Sequence, residues 1–475
     1  MSVVVVGGGI TGLVAARDLA AAGVPVTLVE AGSRLGGKIL TERIGGFLVE
    51  AGPDSFLTTR PAAAELCREL GLGDRLIGTR EPRAVFIRHR KRLVPLPEGL
   101  ALVLPTRLRP FLATPLFSPR EKLRMGLDLF LRRTTLDGDE SVGAFLRRRL
   151  GNALVERLAG PLLGGIYGTD VDQLSLLAVL PQLRAAERAH RSLLLAGRAG
   201  PGAPRGPNGP PASSLFQSLA GGMGELVDAL RAALERGSQL AVLRTSTVVE
   251  ALEATPGGHF VRLSDGSTVK AEAVILAVPA AAAARLLEAR IPAAARALRT
   301  IPFGSSVAVT LGFPEDGLPR PLRGHGFLVP PNDGLAISAC TWSSAKWPGR
   351  APAGSVLLRA SLRAPDATLL AATDETLVAI ARRDLVRSMD LRGELTLTHV
   401  ARWPDAMPRY TVGHLDRVQA ARAALAATPG IVLAGASFGG VGLPDCIAQG
   451  RAAAAQVLGW LGEGIGRRAE AGPAL

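Results

Sequence analysis

The residues best suited to chemistry near the start of the chain are glycines followed by an acid. Gly7, Gly9 and Gly12 form the pattern G-x-G-x-x-G between a run of valines and a predicted helix. In this pattern the first glycine permits a tight turn, the second lets the backbone approach a pyrophosphate, and the third lets the helix pack closely on the strand. Glu30 ends the next predicted strand, where its carboxylate can accept hydrogen bonds from ribose hydroxyls and would repel a 2′-phosphate. These residues predict a dinucleotide site and argue against NADP.

A second glycine motif follows Glu30 and narrows the identity of the dinucleotide. Residues 34–38 have the pattern R-x-G-G-K, and residues 50–55 have the sequence E-A-G-P-D-S. Together with the first turn, these segments resemble the FAD-binding superfamily that includes amine oxidases and porphyrinogen oxidases. The glycines of such a loop would let the backbone run close under a flavin ribityl chain.

The superfamily resemblance extends to the other end of the chain, where a predicted buried strand meets a helix N-terminus at 434–446. In the superfamily this terminus places backbone N–H groups against the pyrimidine end of an isoalloxazine, which stabilises the reduced anionic flavin. Residues 216–223 and 273–279 also match, and Val248 occupies the position whose backbone usually meets the adenine. The residues implied to hold FAD are Gly7, Gly9, Ile10, Thr11, Gly12, Glu30, Ala31, Arg34, Gly36, Gly37, Lys38, Gly52, Pro53, Asp54, Ser55, Val248, Gly435, Ser437, Val441, Gly442 and Leu443.

Several segments resemble a narrower family, the bacterial protoporphyrinogen and coproporphyrinogen oxidases, and this resemblance runs nearly end to end. The segments are 50–56, 161–174, 187–193, 340–348, 402–410 and 413–414. Two of the motifs, at 340–348 and 435–446, are similar to the Gram-positive-type enzymes that oxidise coproporphyrinogen III. Arg409, where that family usually has Gln, and Gly168, where it usually has Ala, depart from the pattern without touching the FAD motifs.

The resemblance implies a flavin reaction that needs no catalytic side chain. Oxidising a porphyrinogen to a porphyrin removes six electrons and six protons, which a flavin can accept in three two-electron steps. O₂ would reoxidise the flavin and yield hydrogen peroxide. The substrate would be coproporphyrinogen III, with four propionates, or protoporphyrinogen IX, with two. The basic balance of the chain and the Gram-positive-type motifs favour coproporphyrinogen, and a flavin amine oxidase is a further alternative.

Four positions are candidates for contact with that anionic macrocycle. Arg60 follows the 50–56 segment and could pair with a propionate, since a guanidinium binds a carboxylate through two hydrogen bonds. Gly165 would line the substrate cavity, with its carbonyl near the pyrrole N–H groups. His325 and Leu328 lie in a segment that resembles the wall of the family's substrate cavity.

Other catalytic classes find little support in the sequence. It contains no nucleophile elbow, no H-E-x-x-H motif and no metal-ligand spacing, which argues against a hydrolase or a metalloenzyme and predicts no metal. Three cysteines without a C-x-x-C pair offer no disulfide or zinc framework. We interpret each of the six histidines as structural rather than catalytic.

The elements that must position these residues follow an α/β pattern. Strand, turn, helix and strand succeed one another at the start of the chain, which predicts a Rossmann-like FAD-binding domain built from 1–85, 214–290 and 405–475. Helical periodicity predicts an inserted helical lobe at 86–213, facing substrate or membrane, that ends in a linker rich in Gly and Pro at 197–211. Alternating apolar runs predict a substrate-binding domain with a mixed sheet at 291–404.

Length and composition set the broad class of the protein. The chain has 475 residues, of which 47% are hydrophobic and 20% charged, and this predicts a globular protein with two or three domains. Its longest uncharged apolar run, 274–284, is too short to cross a bilayer, and the N-terminus lacks the features of a secretory signal. We therefore expect a cytoplasmic protein.

The net charge of +14 is concentrated in residues 81–150, which include fifteen basic and seven acidic residues. Such a field attracts anionic partners, so peripheral contact with an anionic membrane is compatible with the enzyme prediction. Nucleic acid is not expected as a partner, because the segment lacks the interleaved aromatic residues on which bases stack. The sequence leaves the oligomeric state open.

Overall fold

Two large sheets organise the protein. The computed structural model describes residues 2–101, 103–134, 138–199, 214–236, 239–363 and 366–470. Within them a five-stranded parallel sheet and a seven-stranded mixed sheet are joined by helices and four smaller sheets. The predicted α/β class, with a Rossmann-like domain, a mixed sheet and an inserted helical lobe, is confirmed. Most of the predicted linker, from 200 onward, lies outside the described residues.

The parallel sheet carries the predicted dinucleotide turn. Its strands, in spatial order, are β12 (Ala241–Arg244), β2 (Val26–Val29), β1 (Val3–Val6), β16 (Ala273–Leu276) and β22 (Ile431–Leu433). The central strand β1 pairs with β2 on one side and β16 on the other, so that Val3 lies opposite Val26 and Ala273. Every residue of β1 and β16 is buried, because helices cover both faces of the sheet.

Two groups of helices cover the two faces of this sheet. One face packs against α1 (Ile10–Ala21), α2 (Ala62–Glu69), α11 (Gly224–Arg236) and α18 (Leu443–Glu470). The other face packs against α12 (Ala280–Leu287), α13 (Pro292–Arg299) and α17 (His414–Ala426). Helices α1 and α18 contact each other, which brings the two ends of the chain together beside the dinucleotide turn.

The mixed sheet forms the second large unit. Its strands, in spatial order, are β21 (Leu397–Pro408), β17 (Phe303–Pro314), β20 (Ser355–Leu362), β19 (Ile337–Trp342), β18 (Gly326–Leu328), β7 (Val85–His89) and β8 (Arg92–Pro95). Only β18 and β7 run parallel to each other among the paired strands of this sheet. The helices that follow its strands are α14 (Ser343–Lys346), α15 (Ala367–Ala371) and α16 (Asp374–Met389). Leu377, Ala381 and Leu385 of α16 pack into the core of the sheet.

The helical lobe lies between these units in the chain. Its helices are α3 (Leu108–Ala113), α4 (Pro119–Gly126), α5 (Val142–Leu150), α6 (Asn152–Leu154), α7 (Gly160–Tyr167), α8 (Leu176–Val179), α9 (Pro181–His190) and α10 (Leu193–Ala199). A π-helical segment, Val155–Ala159, leads directly into α7. The core of the lobe also contains buried charge, since Arg149 is 1% exposed and pairs with Asp128 at 2.5 Å. Among the described residues, no helix combines the length and the apolar character needed to cross a bilayer.

Short strands complete the framework. The pairs are β3 (Thr41–Ile44) with β4 (Phe47–Glu50) and β9 (Leu100–Ala101) with β10 (Leu104–Pro105). The three-stranded sheets are β5 (Phe56–Leu57), β11 (Phe216–Leu219) and β6 (Leu76–Gly78), and β13 (Val249–Thr255), β14 (Gly258–Leu263) and β15 (Thr268–Ala271).

Several expectations about individual elements were wrong. Strands β7 and β8 lie in the segment that was expected to be helical. The pairing of β7 with β18, distant in the chain, and of β8 with β7 outweighs the local pattern. The apolar pattern of residues 242–252 predicts one strand, but this run contributes to β12 and β13 in different sheets. The chain bends between them at Ser246, which has a φ of 51° and donates its N–H to the Gly32 carbonyl. The division of the chain into three domains stays a prediction.

Candidate active site

One large cavity lies where the parallel sheet, the mixed sheet and the helical lobe meet. Its volume is about 1630 Å³. Ligand pockets are usually about 300–1,000 Å³, so this cavity has room for a dinucleotide and a second large ligand. The carboxyl ends of β1, β2 and β16 open into it, at the edge of a parallel sheet where ligands bind.

The glycine turn after β1 is shaped by close backbone contacts. A Cβ atom on Gly12 would lie 1.9 Å from the carbonyl oxygen of Gly7, so this glycine permits helix packing and does not itself line the cavity. Gly7 has a φ of +105°, which favours glycine. Gly9 differs from both, because a Cβ there would have no neighbour within 4 Å and the residue borders the cavity.

Helix α1 begins at this turn with free backbone donors. Its N-cap residue, Gly9, supplies no side-chain hydrogen bond, and the first turn contains no acidic residue. The N–H groups and the positive end of the helix dipole are thus available to an anion. Ile10 and Thr11, at the start of the helix, line the cavity.

Glu30 is held rigidly beside the turn. Its Oε2 accepts a hydrogen bond from the Gly8 N–H at 2.7 Å, and its Oε1 accepts one from the Gly32 N–H at 2.7 Å. Each carboxylate oxygen keeps a lone pair for a further donor such as a ribose hydroxyl. Ala31 and Val248 line the same part of the cavity.

The loop after Glu30 is stabilised by Arg34 from outside the cavity. The guanidinium donates from Nη2 to the Gly37 carbonyl at 2.5 Å and from Nη1 to the Ile39 carbonyl at 3.1 Å. Arg34 therefore shapes the loop, while Gly36, Gly37 and Lys38 line the cavity. Burial lowers the pKa of Lys38.

The 50–55 segment divides between the cavity and its support. Gly52, Pro53 and Ser55 line the cavity, but the Asp54 side chain accepts hydrogen bonds from Lys346 Nζ at 2.9 Å and from Trp347 Nε1 at 3.0 Å. Burial acts to raise the pKa of Asp54, but the charges of Lys346 and Arg359 hold this pKa well below its usual range. Asp54 thus anchors the segment to the mixed sheet.

The C-terminal turn forms another part of the wall, beside the start of α1, since a Cβ on Gly435 would lie 3.7 Å from Thr11 Oγ1. Residues Gly435, Ser437, Val441, Gly442 and Leu443 all line the cavity at the start of α18. Ser437 Oγ accepts a hydrogen bond from the Ala280 N–H at 3.2 Å, and Gln449 Oε1 accepts one from the Gly435 N–H at 3.2 Å.

Tyr410 supports this turn from behind. Its hydroxyl donates to the Ala436 carbonyl at 2.6 Å and accepts from the Gly440 N–H at 2.7 Å. Its ring stacks on that of His414, with the ring centroids 3.9 Å apart. His414 is buried without a hydrogen-bond partner for either ring nitrogen among the described residues, and burial lowers its pKa to about 4.

Of the four candidate substrate residues, the structure brings only Gly165 to the described cavity. Arg60 forms an ion pair with Asp445 and its side chain is 60% exposed. His325 donates from Nε2 to the Arg80 carbonyl at 2.9 Å, and burial lowers its pKa. Leu328 packs against the core of the helical lobe. The geometry does not support contact of a substrate with Arg60, His325 or Leu328. That contact stays a prediction.

Sequence reasoning missed several residues that line the cavity. Trp403 donates from Nε1 to the Ala51 carbonyl at 2.8 Å and covers the cofactor-side loops. Arg359, Ser361 and Arg363 line the cavity from β20 and the residue after it. These three residues alternate along the half-buried side of the strand, and their two-residue spacing was visible in the sequence but was not assigned to a ligand.

Comparison with known proteins identifies the family. Residues 10–458 match the family model described as flavin containing amine oxidoreductase. The chain is 43% identical to the coproporphyrinogen III oxidase of Propionibacterium freudenreichii, over 96% of this chain and 90% of that protein. It is 39% identical to the coproporphyrinogen III oxidase of Bacillus subtilis, over 97% of this chain and 98% of that protein. The chain belongs to the porphyrinogen oxidases within this flavoprotein family.

A solved structure agrees with this family over the whole fold. The crystal structure of a protein from an Exiguobacterium species, provisionally named a protoporphyrinogen oxidase, has a TM-score of 0.84 to this chain and 34% identity. The similarity covers 96% of this chain and 98% of that one. The predicted resemblance is confirmed.

A flavin is the cofactor of this family, and the cavity fits one. The bare N-terminus of α1, the open space at Gly9 and the free lone pairs of Glu30 match a phosphate and a ribose. The described residues therefore support a flavin cofactor, as the sequence predicted.

Proposed function

We propose that the protein is an FAD-dependent coproporphyrinogen III oxidase. It would oxidise coproporphyrinogen III to coproporphyrin III in haem biosynthesis, with O₂ as electron acceptor and hydrogen peroxide as a product. The observation that carries this proposal is the identity of 43% and 39%, over nearly the whole chain, to two proteins of that name. Oxidation of protoporphyrinogen IX by the same mechanism is the alternative, supported by the name given to the Exiguobacterium structure.

The cavity supports FAD as the form of the flavin. The adenosine half of FAD requires a turn for its pyrophosphate and an acceptor for its ribose, and Gly9 and Glu30 offer both. Val248 lines the cavity on the same side as Glu30, since the neighbouring Thr247 donates its N–H to the Glu30 carbonyl at 3.0 Å. FAD, when bound, would accept a hydride equivalent in each of three rounds and pass the electrons to O₂.

The residues of the chain would orient the substrate and exclude water. Another part of the cavity wall consists of α7, the segment after it and the mixed sheet, and Gly164 and Gly165 line it without side chains. Such a space accepts a flat macrocycle against the cofactor. Among the described residues, no histidine lines the cavity, whereas Lys38, Glu156, Asp170 and Asp172 do. Cys446 also lines it, but burial raises the pKa of this thiol and makes it a poor nucleophile.

Aerobic turnover of the purified holoenzyme with each porphyrinogen tests the proposal. We expect a higher kcat/KM for coproporphyrinogen III and about three peroxides per porphyrin, because each peroxide carries two of the six electrons. A higher kcat/KM for protoporphyrinogen IX would favour the alternative. A flavin-containing protein that oxidises neither porphyrinogen would contradict both.

We also propose that the protein, which we expect in the cytoplasm, touches an anionic membrane through the helical lobe. Apolar side chains stand exposed on α3 and α4 and just after them, including Leu112 at 58%, Leu123 at 72% and Phe130 at 78%. Exposed arginines surround them, namely Arg107, Arg109, Arg120, Arg132 and Arg133. Apolar side chains among basic ones match the interface of an anionic bilayer. We call this the lobe surface.

A further inference from the structure

Four arginines line the described cavity, and three of them have an evident structural role or lie exposed. Arg147 forms an ion pair with Asp172. Arg359 donates from Nη1 to the carbonyls of Glu50 at 3.1 Å and Gly52 at 2.6 Å. Arg285 lies exposed on α12. The fourth, Arg363, is different.

Arg363 is a half-buried cation without an anion. Its Nη2 donates to the carbonyls of Val329 at 2.9 Å, Ile337 at 3.2 Å and Pro330 at 3.3 Å. Its Nε is buried without a hydrogen-bond partner, and the guanidinium forms no salt bridge with a carboxylate of the described residues. A guanidinium has five N–H donors, so Nε and Nη1 remain without a protein acceptor here. Burial lowers the pKa of Arg363, and no acidic group opposes that effect.

An uncompensated buried charge is unfavourable, and proteins retain one where a ligand supplies the opposite charge. The three carbonyls hold the guanidinium in place at the wall of the cavity. Ser338, Ser361 and Asn332 line the cavity around it, so its surroundings are polar. A carboxylate is the anion whose geometry matches a fixed guanidinium.

We propose that Arg363 binds a carboxylate of the substrate, at the side of the guanidinium that faces the cavity. This inference rests on the proposed function, since a propionate of the porphyrinogen is the carboxylate concerned. Arg363 would thereby set the orientation of the macrocycle without taking part in electron transfer, and it is a second candidate, beside Arg60, for the partner of a propionate.

The test compares charged and neutral porphyrins with the FAD-loaded holoenzyme. We expect Arg363→Gln to weaken binding of coproporphyrin III by about tenfold to a hundredfold, the range of a charged hydrogen bond, and to leave binding of its tetramethyl ester within about twofold. The KM for coproporphyrinogen III should rise by a similar factor while kcat changes little. Arg363→Lys, which keeps the charge, should recover part of the affinity and also serves if R363Q fails to fold.

Arg402→Gln is the matched control. Arg402 also donates to backbone carbonyls of the mixed-sheet unit, those of Leu370 at 3.1 Å and Ala372 at 2.6 Å, but it does not line the cavity. We expect R402Q to bind both porphyrins as the unmodified protein does. The inference would be overturned if R363Q lost affinity for coproporphyrin III and for its tetramethyl ester equally, or if it lost affinity for neither. The proposed function would still hold in either case if the unmodified holoenzyme oxidised a porphyrinogen. If the unmodified holoenzyme oxidised neither coproporphyrinogen III nor protoporphyrinogen IX, both the inference about Arg363 and the proposed function would be overturned.

Discussion

At the scale of single residues, the cofactor turn depends on two glycines with different tasks. Gly12 lies against the Gly7 carbonyl inside the protein, and Gly9 faces the cavity. The sequence pattern predicted a packing role for Gly12 and a ligand role for Gly9, and the surroundings of the two glycines fit these roles. Substitution by alanine should distinguish these roles.

Gly12→Ala should destabilise the protein itself. Its Cβ would lie 1.9 Å from the Gly7 oxygen, so the strand and helix must move apart at a cost of about 1–3 kcal/mol in the free energy of unfolding. Gly9→Ala should leave the stability of the flavin-free protein nearly unchanged, because its Cβ meets no protein atom within 4 Å, while flavin binding weakens. Urea unfolding of the flavin-free variants, with flavin titration, measures both effects. Equal stabilities of the two variants would contradict the assignment.

At the scale of elements, the start of α18 depends on α17 and the end of β21 for its shape. Tyr410 follows β21 and joins two backbone groups of the turn that precedes α18. His414 begins α17 and stacks on Tyr410. The cavity wall near the cofactor is therefore held by side chains that do not themselves line it.

Tyr410→Phe should loosen this wall. The variant leaves the Ala436 carbonyl and the Gly440 N–H without their hydroxyl partner, which should lower the free energy of unfolding by about 1–3 kcal/mol and speed the loss of flavin. Tyr167→Phe is the matched control, because Tyr167 is the other tyrosine of the chain and has no hydrogen-bonded hydroxyl among the described residues. If Y410F retained flavin as well as the unmodified protein, the turn before α18 would not depend on the Tyr410 hydroxyl for its shape.

The His414 stack should make the protein less stable in acid. Burial lowers the pKa of His414 to about 4 in the folded protein, whereas the unfolded chain takes up the proton near pH 6.5. The stabilising contribution of the neutral ring is complete above pH 6.5 and is lost as the pH falls toward 4, by about 2 kcal/mol between pH 7 and 5.

Urea unfolding of His414→Phe at the two pH values tests this effect. The variant keeps a ring against Tyr410 but cannot titrate, so its stability should fall less between pH 7 and 5 than that of the unmodified protein. His190→Gln, at an exposed histidine, is the control and should keep the original pH dependence. If the stability of H414F and of the unmodified protein depended on pH in the same way, His414 would not be the source of that dependence.

At the scale of the whole molecule, the helical lobe has an outer face that the cavity does not use. The lobe surface combines exposed apolar side chains with arginines, and none of these residues lines the described cavity. A membrane contact there would not involve the residues that line the cavity.

Replacing Leu123 and Phe130 by Gln should weaken binding to vesicles that contain anionic lipid by about tenfold or more, since each side chain loses apolar contact with the bilayer. Added salt should weaken binding of the unmodified protein, because the arginines act through screened charges. Leu415→Gln is the control, at a leucine that is 46% exposed on α17. Sedimentation with vesicles measures the effect, and equal binding to neutral vesicles would refute the role of charge.

Local patterns indicated the fold class and the dinucleotide turn of this protein, and the motifs at 34–38 and 434–446 indicated a flavin. The glycine turn, Glu30 and the strands around them are encoded within the first thirty residues, and the structure contains each of them where it was predicted. Such elements are predictable because their spacing follows from short-range geometry of a strand, a turn and a helix.

Only the tertiary structure decided which side chains meet in the cavity. Arg359 contacts Gly52 across 307 positions of the chain, and β7 pairs with β18 although the neighbouring sequence suggested a helix. The same holds for Arg363, whose lack of an anion is visible only once its surroundings are folded. Whether a charge is buried, paired or free depends on elements far apart in the chain, and no local pattern records that distance.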